Sequence, residues 1–318
     1  MFESAVGTQN SARDTAKRRL PDWLEAGAGA AARARLRAHP RLAEAMLACA
    51  RATEAAFDNH PLLNRVPNDR GRIVFGFLLL YLDAAPENGG ITTARMAALC
   101  QEEGVCSRGR TKALLALMRW GGYLSPAEGT GDRRERPLRP TPRMWASFSE
   151  RWRANYTAMR PVSETARLAI AALDDPAFCR LLAHAFGTGF RAGFRVLHHT
   201  PDVRPFADRD GGMMLFFALF VAEDSDGPAP TVAELARRFH LSRAHVLQIL
   251  KDAMAAGLVL RAGARHGESA GFALSTAGRE AIADFYATLF ALFDSSASHA
   301  LAAYGTTPPS RADARDLC

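Results

Sequence analysis

The sequence predicts a mainly α-helical protein with two small β-hairpins, built from two similar units in tandem. Ser107 opens an apolar-periodic stretch that ends at Gly122, and Ser242 opens another that ends at Gly257. The two stretches are offset by a constant 135 residues. A short helical segment precedes each stretch, and a basic loop with Gly or Pro follows it. This order of elements is typical of a winged helix-turn-helix.

Each predicted unit has the same succession of elements. An entry helix is followed by a breaker cluster, an apolar helix, a short helix, a second helix, a hairpin and a trailing helix. We expect entry helices at 41–57 and 178–196, apolar helices at 73–82 and 213–221, short helices at 94–103 and 232–239, and trailing helices at 144–156 and 279–293. In the first copy, the turn around 101–105 is expected to be about three residues longer.

These signals divide the chain into a first unit at 23–160 and a second unit at 175–296. Residues 161–174 are expected to form a connector. Residues 1–22 and 297–318 are polar and rich in small residues, so we expect flexible termini there.

Composition is compatible with this organisation. The chain has 318 residues, of which 48% are hydrophobic and 23% are charged, as in a globular protein with two substantial cores. Its net charge of +7 and pI of about 9.5 favour a polyanionic partner. Arginines spread over solvated faces would give the same totals. The positions of the charges must therefore decide whether the chain binds a polyanion.

The sequence also favours a cytoplasmic protein. Its five cysteines form no Cys-x-x-Cys pair, and their odd number argues against a disulfide framework. The amino terminus lacks the apolar region of a signal peptide. The longest apolar runs, 75–82 and 213–222, have about ten residues or fewer, whereas a membrane-spanning helix needs roughly 20.

The second unit carries the clearer DNA-binding pattern. Thr231 and Glu234 form a predicted capping box, and Val246, Ile249 and Leu250 make the inward stripe of the second helix. The amino-terminal end of such a helix reaches base edges in the major groove, where Arg suits guanine and Gln suits adenine. The candidate DNA-contacting residues here are Ser242, Arg243, His245, Gln248 and Lys251, with Arg265 and His266 at the hairpin tip.

This region resembles the MarR-type winged-helix regulators over about sixty residues. The likeness comprises Thr231-Val-Ala-Glu-Leu-Ala, Ser242-Arg243, Gly257-Leu258-Val259 and the return strand Leu274-Ser-Thr-Ala-Gly278. The resemblance implies a three-helix core, a two-stranded wing, and terminal helices that join two reading heads over a palindrome. It also implies a small-molecule effector, such as an aromatic acid or an oxidant. Arg265-His266-Gly267-Glu268 stands where the family has an acidic-arginine wing motif.

The first unit departs further from that pattern. Near the start of its second helix the candidate contacts are Ser107, Arg108, Arg110, Thr111 and Lys112, and in the following loop they are Arg133, Arg134 and Arg136. The prolines of this loop argue against a regular hairpin. It is either a disordered basic loop or a longer wing that lies along phosphates.

The sequence therefore predicts a double-stranded DNA-binding transcriptional regulator with two non-identical winged helices. We expect the entry and trailing helices of the two units to pack together as a pseudo-dimer within one chain, which acts as a monomer or associates further as a homodimer. Because the two reading helices differ, the bound site should be asymmetric. The alternatives are a plasmid-type replication initiator and a protein-interaction scaffold without DNA.

No motif indicates an enzyme, a cofactor or a metal site. The chain has neither a phosphate-binding Gly-x-x-x-x-Gly-Lys loop nor a Gly-x-Ser-x-Gly nucleophile elbow. Gly187 and Gly189 lie inside a helical pattern and are interpreted as a site of close helix packing.

Overall fold

The computed structural model describes residues 19–59, 70–85, 90–127, 137–225, 227–262 and 270–306. Within these ranges the chain is mainly helical and contains two antiparallel two-stranded sheets. This confirms the predicted mixture of helices with small hairpins.

The elements follow one another as in the predicted units. The helices of the first unit are α1 (Asp22–Ala28), α2 (Ala30–Arg37), α3 (Leu42–Asn59), α4 (Arg70–Ala84), α5 (Thr93–Glu102), α6 (Arg108–Trp120) and α7 (Pro142–Met159), with strands β1 (Leu124–Pro126) and β2 (Leu138–Pro140) before α7. Next come α8 (Glu164–Ala172), α9 (Pro176–Arg191), α10 (Val196–His199), a 3-10 turn (Pro201–Val203), α11 (Arg204–Ala207), α12 (Gly212–Ala222), α13 (Val232–Arg238), α14 (Arg243–Ala255), β3 (Val259–Arg261), β4 (Phe272–Leu274) and α15 (Thr276–Thr306).

The same hydrogen bonds attach the hairpin in both units. The Leu138 amide donates to the Ile91 carbonyl just before α5 (2.7 Å), and the Phe272 amide donates to the Pro230 carbonyl just before α13 (3.0 Å). The first hairpin is thereby fixed to the start of α5 and the second to the start of α13.

The junction from helix to hairpin to trailing helix is also repeated. Gly122 and Gly257 follow α6 and α14 with φ of 72° and 75°, the left-handed region that favours glycine. The Thr141 hydroxyl donates to the Gly122 carbonyl (2.7 Å), and the Ser275 hydroxyl donates to the Gly257 carbonyl (2.5 Å). The 135-residue offset therefore relates equivalent positions of the two units, from the starts of α6 and α14 to the glycines that follow these helices.

The extra length of the first copy lies mainly in the helix, which corrects the expectation of a longer turn. α5 has ten residues and α13 has seven. In the turns, the Val105 amide donates to the Cys100 carbonyl (2.8 Å) and the Leu241 amide donates to the Ala236 carbonyl (3.0 Å). Val105 is thus the counterpart of Leu241, and Cys106 is the single added turn residue.

The prolines of the first hairpin do not prevent strand pairing, contrary to the expectation from the sequence. The Ala127 amide donates to the Pro137 carbonyl and the Thr141 amide donates to the Tyr123 carbonyl. Ladder hydrogen bonds alternate along an antiparallel pair, so Pro126 and Pro140 occupy positions where no amide is needed.

The connector is helical, and so is the first part of the C-terminal segment that was expected to be flexible. The 161–174 connector contains α8, which packs on α7 and α15. The chain after residue 296 continues α15 to Thr306, with Ala297 and Ala300 buried. Small residues permit this, because α1 lies close against α15: the Ser295 hydroxyl donates to the Trp23 carbonyl (3.0 Å).

The apolar helix of each unit packs on the entry helix of the other unit. α4 lies on α9, and α12 lies on α3. Two ion pairs accompany these contacts: Arg180 of α9 with Asp83 of α4 (2.8 Å), and Arg51 of α3 with Asp224 after α12 (2.7 Å). The contacts between the units are therefore reciprocal, as in an isologous interface.

Helices of both units share one hydrophobic core. The Tyr156 hydroxyl of α7 donates to the Phe293 carbonyl of α15 (3.1 Å), and Trp152 of α7 stacks on Phe186 of α9 with ring centroids 6.2 Å apart. The expected packing of entry and trailing helices across the units is confirmed by these contacts.

The helix pairs α5–α6 and α13–α14 are also tied to the opposite unit by ion pairs. Arg238 at the end of α13 pairs with Glu54 of α3 (3.0 Å), and Arg195 after α9 pairs with Glu103 after α5 (2.8 Å). Both carboxylates are almost completely buried, with side chains 5% and 2% exposed. Breaking such a pair leaves a buried charge, so each of these helix pairs is held firmly against the opposite unit.

Candidate nucleic-acid interface

The second unit presents one polar helix face to solvent. The Ser242 hydroxyl caps α14 by accepting a hydrogen bond from the His245 amide (3.2 Å). The opposite side of α14 is buried in the core. Its exposed residues include Arg243, Gln248 and Lys251, as the sequence predicted.

A short hydrogen-bond network orients the Gln248 amide. Gln248 Nε2 donates to Asp252 Oδ1 (2.7 Å), and the Arg209 guanidinium donates to Asp252 Oδ2 (2.6 Å). Because Asp252 only accepts, it fixes which end of the Gln248 amide is nitrogen. The second amide hydrogen and the oxygen have no hydrogen-bond partner within the described part of the chain.

His245 has a narrower role than the sequence predicted. Its side chain is half-buried, and Nε2 donates to the carbonyl of Asp210 (2.9 Å). The ring therefore holds the loop before α12 against the start of α14, and only Nδ1 remains for a further partner.

In the first unit, the start of α6 is capped and cationic. The Ser107 hydroxyl accepts a hydrogen bond from the Arg110 amide (3.3 Å), and Arg108, Arg110 and Lys112 are all exposed. No acidic residue lies between Arg108 and Trp120. This end of the helix combines the positive end of the helix dipole with exposed side-chain cations, which favours anions.

The prediction that Thr111 contacts DNA is wrong. Thr111 is fully buried, and its hydroxyl donates to the Ser107 carbonyl (3.1 Å) and lies 3.3 Å from Cys106 Sγ. A threonine that bonds back to the carbonyl four residues earlier is satisfied within the helix and faces the core.

Sequence reasoning missed Arg261. It is exposed at the end of β3, with its guanidinium 5.4 Å from the centre of the Phe272 ring. The sequence signal was a basic residue directly before the basic hairpin tip, although β3 does not alternate, because Leu260 and Arg261 are both exposed. The tip candidates Arg133, Arg134 and Arg136 in the first unit and Arg265 and His266 in the second lie outside the described residues.

Arg139 of β2 is exposed, and its charge acts on Asp83 of α4, which pairs with Arg180 of α9. Burial raises the pKa of Asp83, while Arg180 and Arg139 act in the opposite direction. Arg139 is therefore close enough to Asp83 to affect its titration.

Other chemistry is not indicated in the described residues. They contain no group of His, Cys, Asp or Glu arranged to hold a metal ion. Burial raises the pKa of Cys49 and of Cys100 to about 12, so both thiols are protonated and unreactive near neutral pH. None of the helices in the described ranges combines the length and apolar character that crossing a bilayer requires.

Comparison with models of protein families, with curated proteins and with solved structures gave no match. Function is therefore inferred from the residues and geometry of this chain.

Proposed function

We propose that this protein is a sequence-specific double-stranded DNA-binding transcriptional regulator. Its two units are non-identical winged helices that form a pseudo-dimer within one chain, and the second unit has the MarR-like pattern. One observation carries the proposal: α14 offers a polar, capped, solvent-exposed face on which the Gln248 amide is already oriented by Asp252.

The groups on α14 suit direct readout in a major groove. A bidentate contact to adenine needs one amide N–H for N7 and the amide oxygen for the N6 hydrogens. Gln248 keeps both, because Asp252 uses only the other N–H. Arg243, exposed in the first turn of the helix, has the fork geometry that suits guanine. Arg209 neutralises Asp252, which reduces its repulsion of the DNA backbone.

The second hairpin and the net charge of the chain also support DNA binding through this face. Arg261 is exposed on the strand that leads into the hairpin tip, where it suits a phosphate contact. The chain carries a net charge of +7. Binding that depends on such contacts releases counterions, so affinity should fall steeply with salt.

The reciprocal contacts between units support the pseudo-dimer. Each apolar helix packs on the opposite entry helix, and each helix-turn-helix is ion-paired to the opposite half. The outer face of α14, unlike that of α6, carries groups that suit base edges, so the proposed DNA site is asymmetric.

A gel shift tests the proposal. The full chain is incubated at low salt with random-sequence duplex and then with the same duplex at rising salt. We expect a shift that weakens with salt for wild type, and a weaker shift for Arg261→Ala at every salt concentration. Absence of any shift at low salt would exclude DNA binding and leave the scaffold alternative.

A further inference from the structure

The outer face of α6 is apolar, unlike that of α14. Ala113, Ala116, Leu117 and Trp120 are all exposed, and their spacing of three, one and three residues aligns them along one side of the helix. Trp120 is 81% exposed and Leu117 is 37% exposed. Only four large hydrophobic residues of the described chain are exposed, and two belong to this stripe.

The matched positions of the second unit show that this composition is not inherent in the fold. The 135-residue offset places Gln248, Lys251, Asp252 and Ala255 of α14 at the positions of Ala113, Ala116, Leu117 and Trp120. Gln248 and Asp252 are hydrogen-bonded there, and Lys251 is exposed. In α6 the stripe instead offers base edges a single side-chain donor, the Trp120 indole N–H, and no acceptor.

Cations flank the α6 stripe. Arg108, Lys112 and Arg119 follow one edge, Arg110 lies on the other, and all four are exposed. A second copy of the same helix would bring like charges together, which opposes self-association. An acidic partner would be attracted.

We infer that the outer face of α6 docks an acidic amphipathic helix of another protein. The partner helix places apolar side chains over Ala113, Ala116, Leu117 and Trp120, and its Asp and Glu residues meet the flanking cations. The two alanines allow close approach of the partner, and Trp120 is the expected anchor, because interface hot spots are enriched in Trp and Arg. The inference does not depend on DNA binding by α14.

The test uses a displayed library of 18-residue helical peptides. Apolar residues occupy positions i, i+3, i+4 and i+7, and Asp or Glu occupies the flanking positions. A matched library carries Lys or Arg at the flanking positions. Both are selected against the full-length protein, and affinities of the selected peptides are measured by fluorescence anisotropy.

We expect binders from the acidic library, with affinity reduced at least about tenfold by Trp120→Ala and by Leu117→Ala. Leu168→Ala, which removes a leucine that is 56% exposed on α8, is the matched control and should have no effect. Trp120→Ala should keep the wild-type unfolding curve, because the side chain is mostly exposed.

Four results would overturn the inference. The first is that neither library yields a peptide whose binding depends on Trp120. The second is that the basic library binds equally well. The third is that Trp120→Ala weakens binding of duplex DNA tenfold, which assigns the face to DNA. The fourth is that Trp120→Ala converts a dimer to a monomer in sedimentation, which assigns it to a second copy.

Discussion

Substitution of Gly187 by alanine should destabilise the protein by forcing the two units apart. Gly187 is buried in α9 where α4 crosses it. A Cβ at this position would lie 2.2 Å from Cδ2, 2.3 Å from Cγ and 2.5 Å from Cβ of Tyr81. Ordinary carbon–carbon contacts are about 3.5–4.0 Å. Because Tyr81 Cβ is fixed by the backbone, a rotamer change cannot relieve the overlap, and α4 and α9 must separate.

The expected change in the free energy of unfolding follows from two opposing effects. Alanine gains about 1 kcal/mol over glycine in a helix interior. Overpacking of a close core contact costs typically about 1–3 kcal/mol, and three overlapping atoms place this site at the upper end. We expect a net loss of about 2 kcal/mol in the free energy of unfolding.

Urea unfolding followed by circular dichroism measures this change. Gly109→Ala is the matched control, since a Cβ there meets nothing within 4 Å. The control should be as stable as wild type or more stable by up to about 1 kcal/mol. A Gly187→Ala protein as stable as wild type would refute the described crossing of α4 and α9.

Three further changes have defined outcomes. Ser242→Ala removes the α14 cap and should lower the urea midpoint by the equivalent of about 1 kcal/mol. Asp252→Ala frees the Gln248 amide and removes a negative charge. Competition between duplexes that differ at one base pair should then show about fivefold weaker discrimination, equivalent to about 1 kcal/mol. The affinity for random duplex should rise. Unfolding between pH 9 and 12 should become easier as pH rises, by up to about 1.4 kcal/mol per pH unit for each thiol, because native Cys49 and Cys100 keep protons that the unfolded chain loses. Cys49→Ala should flatten the plot of urea midpoint against pH, and unchanged pH dependence would contradict this.

Local signals were readable from the sequence. Ser107 and Ser242 cap their helices, and Thr231 with Glu234 forms the predicted capping box. Gly187 is a site of close packing, as expected. The caps and the capping box depend on neighbouring residues alone, so local chemistry determines them, whereas the glycine pattern indicated close packing at Gly187 without identifying Tyr81 as its partner.

Long-range packing was not readable in the same way. The segment Gly212–Ala222 is apolar on all sides, so no stripe in its sequence indicates that it packs on the opposite entry helix. Thr111 is a polar residue but is buried. Its position on α6 places it on the inward side of the helix, where its hydroxyl donates a hydrogen bond to a backbone carbonyl. The extension of α15 to Thr306 rests on small residues that carry little hydrophobic periodicity.

The most direct test of DNA reading by α14 is a double-mutant cycle between Gln248 and its base. Duplexes selected from a random pool by the full-length protein supply the motif, and each adenine in it is replaced in turn. The dissociation constants of wild type and Gln248→Ala are then measured on every duplex. One adenine should couple to Gln248 by about 1–3 kcal/mol. Coupling near zero at every adenine, or a pool without any enriched sequence, would contradict the proposed role of α14.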